Sequence, residues 1–201
     1  MKQIGIMGGT FDPPHLGHLM IAECMRESLN LDEVRFMPNG EIAYKEASRM
    51  ATPQQRLEMV RLAIQGNPAF VADSTEIERK STTYTYQTME LLTERERDAA
   101  FTFLMGADSL DYMERWKNPE RIFCCCTVAS VLRPGFSRER METKKRELEE
   151  RFGARIILVE APQILISSTE LRQRLQEGRS VRYLVPKAVE AYIREHGLYS
   201  G

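Results

Sequence analysis

Twenty-eight Lys and Arg against 29 Asp and Glu leave this 201-residue chain with a formal net charge of -1; 42% of its residues are hydrophobic and 28% charged. That is an ordinary globular composition, and it excludes a protein whose main affinity comes from a broadly basic surface for nucleic acid or an anionic membrane. At this length a single domain, 1–201, is expected, burying about 70% of the surface that the extended chain exposes, with no need of disulfide staples.

The opening residues set the pattern. Ile4 and Ile6 begin an apolar strand that stops at Gly8-Gly9, and the apolar positions of residues 16–29 (Leu16, Leu19, Met20, Ala22, Met25, Leu29) follow a helical stripe. The N-terminus carries no apolar signal-peptide region, so it is expected to belong to the fold of a cytoplasmic protein. A short strand at 34–37 follows, then a long irregular stretch at 38–51, a length often associated with function. Thr52 with Pro53 starts a helix carrying Leu57, Val60 and Ile64.

Further along, the reading gives a strand at 70–72, a helix at 85–94, a strand at 100–105 and a turn at Gly106-Ala107-Asp108-Ser109 into a helix reaching Trp116. Residues 123–132 form the longest apolar run, about half the roughly 20 residues a membrane span needs, and read as a buried strand. In that strand Cys124, Cys125 and Cys126 alternate faces and cannot converge on one zinc ion, so they read as small buried hydrophobes in a reducing compartment. A charged helix at 138–151, a strand at 155–159 and helices at 168–177 and 186–196 complete the chain. Alternating strands and helices imply an α/β fold, a doubly wound parallel sheet of Rossmann-like kind, with a small helical C-terminal section at about 162–201 packed against it.

Open parallel sheets bind ligands at the carboxyl ends of their strands. The first such junction, Gly8-Gly9-Thr10-Phe11-Asp12-Pro13-Pro14-His15-Leu16-Gly17-His18, holds two of the three histidines in the chain. It lacks both the dinucleotide fingerprint and the P-loop spacing. It does offer two glycines for close backbone approach and a helix N-terminus whose free N–H groups attract anions. His15 and His18, three residues apart, share one helix face and would meet one ligand. A His-x-x-His metal site would need further ligands that the sequence does not clearly supply.

With Ile166-Ser167-Ser168-Thr169-Glu170-Leu171-Arg172 after the last strand, the His15-Leu16-Gly17-His18 junction resembles the paired signature of the nucleotidylyltransferase superfamily. Within it the chain is similar to the bacterial nicotinate-nucleotide adenylyltransferase family, which also matches Thr83-Tyr84-Thr85, Gly106-Ala107-Asp108-Ser109, Trp116-Lys117, Arg133-Pro134-Gly135 and Tyr183-Leu184-Val185-Pro186. The resemblance implies in-line attack by the phosphate of nicotinate mononucleotide on the α-phosphorus of ATP, giving deamido-NAD and pyrophosphate in NAD biosynthesis.

The same resemblance implies the site. His15, His18 and Arg172 would be catalytic. Gly8, Gly9, Thr10, Phe11, Lys45, Gly106, Asp108, Ser167, Ser168 and Thr169 would bind ATP, and Tyr84, Thr85, Trp116 and Arg133 the mononucleotide. Ser167 and Glu170 also have capping-box spacing. Two histidines facing phosphates are expected to be cationic above the ordinary imidazole pKa of about 6.5. Mg2+ is implied as the companion of ATP, held by water and phosphate oxygens, since no carboxylate cage is evident.

One departure stands out: where the family often has Pro-Pro-His-Lys, this chain reads Glu41-Ile42-Ala43-Tyr44-Lys45. The expected partners are small molecules, with no nucleic acid and no membrane, and the sequence leaves open whether copies form a homo-oligomer. Two alternatives differ in kind: an adenylyltransferase acting on phosphopantetheine, and a non-catalytic nucleotide sensor. The first fits less well because that family usually has Thr at the position of His15; intact His18 and Arg172 argue against the second.

Overall fold

The computed structural model describes residues 1–40, 50–79, 83–132, 135–162 and 164–200. Six strands, β1 (Lys2–Gly9), β2 (Glu33–Pro38), β3 (Phe70–Ala72), β4 (Ala99–Gly106), β5 (Thr127–Val131) and β6 (Ile156–Val159), form one sheet in the order β3-β2-β1-β4-β5-β6. The β1·β4, β4·β5 and β5·β6 pairings are parallel, with Met7 opposite Leu104 and Met105 opposite Ser130. This is the doubly wound order, whose direction of winding reverses between β1 and β4, and that reversal is where such sheets bind ligands. Both glycines of the first junction therefore end the strand that flanks the switch point.

Among the described residues the helices are α1 (Leu16–Ser28), α2 (Pro53–Ile64), α3 (Thr75–Glu78), α4 (Thr85–Arg95), α5 (Ala107–Asp111), α6 (Pro119–Cys125), α7 (Arg138–Phe152), α8 (Ser168–Gln176) and α9 (Lys187–Glu195). None is long and apolar enough to cross a membrane. The chain divides into two compact units, one of Met1–Gly8, Ile21–Arg35 and Thr83–Gln163, the other of Gly9–Met20, Phe36–Thr82 and Ile164–Gly201.

The first unit holds the central strands. Ile4, Ile6, Leu104, Val128 and Ala129 are all at most 1% exposed, because a parallel sheet covered on both faces selects continuous apolar runs rather than alternation. Here one expectation fails. The apolar run 123–132 is not one strand: Pro119 in the first turn and Ile122 and Phe123 on the buried face make a short helix, and the strand starts only at Thr127. A periodicity of three or four positions inside an unbroken apolar run cannot be separated from a buried strand by pattern alone. In consequence the cysteines do not alternate on a strand: Cys124 is exposed, Cys125 half-buried and only Cys126 buried, its thiol pushed up to about 12 by burial. The helix expected to reach Trp116 is likewise interrupted, α5 ending at Asp111 and a 3-10 turn, Met113–Arg115, carrying the chain on.

The second unit is built around α2, α8 and α9. Thr52 and Gln55 close a reciprocal capping box at the start of α2, with bonds of 3.2 and 2.9 Å. Behind it Met59, Ala63, Leu171, Val181, Val185, Val189, Ile193 and Tyr199 form one core, each large apolar side chain contributing about 1.5–3 kcal/mol by leaving water. The short helix α3 was not legible from sequence; four residues carry too little periodicity to register.

Candidate active site

The turn after β1 takes its shape from Phe11, not from the glycines. Phe11 lies at a φ of 52°, a left-handed conformation that costs an ordinary residue about 1–2 kcal/mol; its ring is 2% exposed and meets His18 edge-on with centroids 5.0 Å apart. Gly8 and Gly9 are strand residues without positive φ. A Cβ at Gly8 would make only ordinary contact with the Phe103 ring, at 3.5 Å, so packing does not demand glycine there.

His15 and His18 face each other as stacked rings, 3.6 Å between centroids at an interplanar angle of 24°. His15 is 6% exposed and His18 half-buried. The backbone N–H of His15 donates to His18 Nδ1 at 3.2 Å, and that of His18 is shared between His15 Nδ1 at 3.3 Å and the His15 carbonyl at 3.0 Å. Gly17 makes the stack possible: a Cβ on it would stand 3.0 Å from His15 Nδ1.

This geometry makes Nδ1 of each ring an acceptor and leaves Nε2 as the side-chain donor of each. And the helix N-terminus does not hold a row of free amides: the N–H of Leu16 is donated to the Leu184 carbonyl at 3.0 Å, while those of His15 and His18 are used as above.

Arg172 reaches the same turn from the first turns of α8. Its Nη1 donates to the Asp12 carbonyl at 2.8 Å and lies 3.6 Å from Asp12 Oδ2; its Nη2 is 3.5 Å from Thr169 Oγ1. Ser168 Oγ donates to the Pro13 carbonyl at 2.9 Å, and Ser167 Oγ caps the helix by accepting the Glu170 N–H at 3.2 Å. Among the described residues only this half of the expected capping box is made. The second motif thus closes onto the first through Ser168 and Arg172.

Three residues that sequence reasoning missed lie beneath it. Arg56 is 1% exposed and its two terminal nitrogens donate to carbonyls, Nη1 to Thr10 at 2.9 Å and Nη2 to Asn39 and Gly40 at 2.7 and 2.9 Å, while its buried Nε has no partner among the described residues. Burial holds its guanidinium below the ordinary arginine range, opposed by the charge of Asp12. Asp12 is fully buried, its Oδ1 accepting the Tyr199 hydroxyl at 2.6 Å and the Ala51 N–H at 3.0 Å. Burial, and then the carboxylate itself, push the Tyr199 phenol well above its usual value. Asp12 lies inside the recognised junction, but nothing in the sequence tied it to a partner 187 positions away or to Arg56 on a helix.

In the first unit a separate aromatic group forms. Trp116 stands edge-on to Phe103 with centroids 6.1 Å apart and 6.4 Å from Tyr112, and the Lys117 ammonium sits 4.2 Å above the Tyr84 ring. Thr85 is the first residue of α4; the Tyr84 N–H is donated to Gln87 Oε1 at 3.3 Å and the Gln87 N–H to the Tyr84 carbonyl at 2.9 Å, so the first-turn amides left without helical acceptors are those of Thr85 and Tyr86. Gly106 and Asp108 stand at the end of β4 and in the first turn of α5. Lys45 and Arg133 lie outside the described residues.

A model of the cytidylyltransferase-like family matches residues 6–174, from within β1 to Arg174 in α8. The chain belongs to that family, among its nicotinate-nucleotide adenylyltransferases. A Roseiflexus protein named "Probable nicotinate-nucleotide adenylyltransferase" is 45% identical over 98% of this chain and 97% of its own length, and one so named from Lactiplantibacillus plantarum is 40% identical over 98% and 88%. The Plasmodium falciparum nicotinic acid mononucleotide adenylyltransferase, solved in complexes with APC and with NaAD, has the same fold at a TM-score of 0.80 and 20% identity, covering 99% of this chain and 98% of its own.

Proposed function

We infer that the chain transfers AMP from ATP to nicotinate mononucleotide, forming nicotinate adenine dinucleotide and releasing pyrophosphate. The observation that carries this reading is the convergence of His15, His18 and Arg172 on one turn, with Nδ1 of each imidazole accepting a backbone N–H so that Nε2 is its donor, and the Arg172 guanidinium bound to the Asp12 carbonyl of the same turn. An oxygen of the mononucleotide phosphate attacks the α-phosphorus, a new P–O bond forms, and the bond to the β-phosphate oxygen breaks as pyrophosphate leaves. No protein nucleophile is needed, so the catalytic task is alignment and charge stabilisation. Alignment of two bound substrates accounts for up to about 7–11 kcal/mol of barrier reduction.

In this reading His18 Nε2–H donates to the phosphoryl in transfer and His15 to a neighbouring phosphate, while Arg172 and the side of the turn formed by Ser167, Ser168 and Thr169 hold the distal phosphates. Gly8, Gly9, Thr10 and Phe11 line the approach, which is supported by the absence of any packing need for glycine at Gly8. Gly106 and Asp108 meet the ribose, and Lys45 and Arg133 keep their assigned contacts with ATP and with the mononucleotide. Trp116 offers its face to the nicotinate ring. Thr85 and the first-turn amides of α4 take the carboxylate, and such a donor-only pocket leaves a carboxamide NH2 unpaired.

Magnesium enters as part of the magnesium–ATP substrate. Such an ion keeps its waters and binds phosphate oxygens. Pyrophosphate release measured with nicotinate mononucleotide, nicotinamide mononucleotide and phosphopantetheine in parallel tests the assignment: turnover is expected with the first, and the reading fails if phosphopantetheine is the preferred acceptor or none is used.

A further inference from the structure

We propose that Asp12 is a positioning residue for Arg172 and that the hydroxyl of Tyr199 sets it. The proposal rests on the reading of Arg172 as a ligand of the ATP phosphates.

Asp12 gives two groups to one guanidinium nitrogen: its carbonyl accepts from Arg172 Nη1 at 2.8 Å, and its Oδ2 stands 3.6 Å from the same atom. The two carboxylate oxygens are unequal. Oδ1 is filled by Tyr199 and the Ala51 N–H, whereas Oδ2, fully buried, has no hydrogen-bond partner among the described residues. A carboxylate present only to knit three chain segments together would satisfy both oxygens, since an unpaired buried acceptor is destabilising. This one leaves its second oxygen turned toward a cation just beyond hydrogen-bond reach.

The charge balance points the same way. Two guanidiniums, Arg56 and Arg172, face one carboxylate, and Arg56 is 1% exposed with both terminal nitrogens committed to carbonyls. One positive charge remains over, and it resides on Arg172, whose side chain is 22% exposed. Asp12 therefore holds that charge at the edge of the turn without neutralising it. By occupying Oδ1, Tyr199 fixes the rotation of the carboxylate and keeps it from swinging into a full ion pair that would withdraw Arg172 from the phosphates.

The test is a double-mutant cycle on the full chain, reading the dissociation constant for magnesium–ATP by calorimetry in wild type, Tyr199→Phe, Arg172→Ala and the double variant. Tyr199→Phe is expected to weaken ATP binding by about three- to tenfold in the presence of Arg172 and to leave it unchanged in the Arg172→Ala background, the coupling expected of residues that act through one another. Asp12→Asn, if it folds, should likewise lose its effect once Arg172 is gone. A loss of equal size in both backgrounds, as a purely structural role would give, overturns the proposal, as does no effect of Tyr199→Phe. If Arg172→Ala itself binds ATP as tightly as wild type, the phosphate-ligand reading fails first and takes the proposal with it.

Discussion

His15 and His18 each accept the other's backbone N–H on Nδ1, at 3.3 and 3.2 Å. The pair is thus self-oriented: each ring is fixed by the other residue's main chain, and the proton of each is confined to Nε2. Long-range nitrogen–proton correlation NMR at neutral pH should show both rings in the Nε2–H form. A protonated Nδ1 on either ring would mean that the reciprocal arrangement does not persist in solution.

If His18 serves the developing charge rather than the fold, its removal should separate activity from stability. His18→Ala is expected to lower kcat by about 10²–10³, the consequence of losing one preorganised donor worth roughly 3–4 kcal/mol, with only a small change in thermal midpoint. Ile193→Ala, on the buried face of α9, should do the reverse, destabilising the protein by about 2–5 kcal/mol with kcat retained while folded. Calorimetric melting beside steady-state kinetics checks both.

Gly17 supplies a subtler case. Its Cβ position is 3.0 Å from His15 Nδ1 and 3.2 Å from Cε1, so in Gly17→Ala the ring must yield by a few tenths of an ångström. Displacements of about 1 Å cost about 10²-fold in rate, and kcat should fall by about three- to tenfold. Stability should hold or rise, by up to about 1 kcal/mol, because alanine suits a helix better than glycine. Full activity in this variant would show that the His15 ring is not the sensitive element.

How far the sequence could be read depended on whether the deciding interaction was local. The strand-turn-helix at the start, the capped start of α2 at Thr52 and the Ser167 cap of α8 all follow from residues within a few positions of each other, and so does the pairing of His15 with His18. The boundary inside residues 119–131 did not, since Ile122, Phe123, Val128 and Val131 look alike whether helical or extended. The free amides expected at the start of α1 were lost to Leu184 and to the histidine rings themselves, long-range or mutual bonds that no spacing rule announces. Arg56 reads as a polar position on an amphipathic helix and Tyr199 as an isolated aromatic; only the fold makes them partners of the turn after β1.

Tyr199 also gives a pH signature. Burial, and next the charge of Asp12, raise its phenol above the ordinary value near 10. The folded state then keeps a proton that the unfolded chain releases, so the stability linked to this group is fully present below about pH 10 and is lost as pH rises beyond it. Tyr199→Phe should show a shallower loss of stability between about pH 10 and 11 than wild type in denaturant titrations. In native protein, one of the seven tyrosines should resist ionisation in the ultraviolet until the protein unfolds. Identical alkaline profiles for the two proteins would contradict this.

The central claim is that the turn after β1 grips the triphosphate through His15, His18 and Arg172, and the structure of the protein crystallised with magnesium and a non-hydrolysable ATP analogue tests it most directly. Nε2 of His18 and a guanidinium nitrogen of Arg172 are expected at about 3 Å from phosphate oxygens, with both Nδ1 atoms still bound to backbone N–H. A triphosphate lying elsewhere, with both imidazoles turned from every phosphate, would contradict the account.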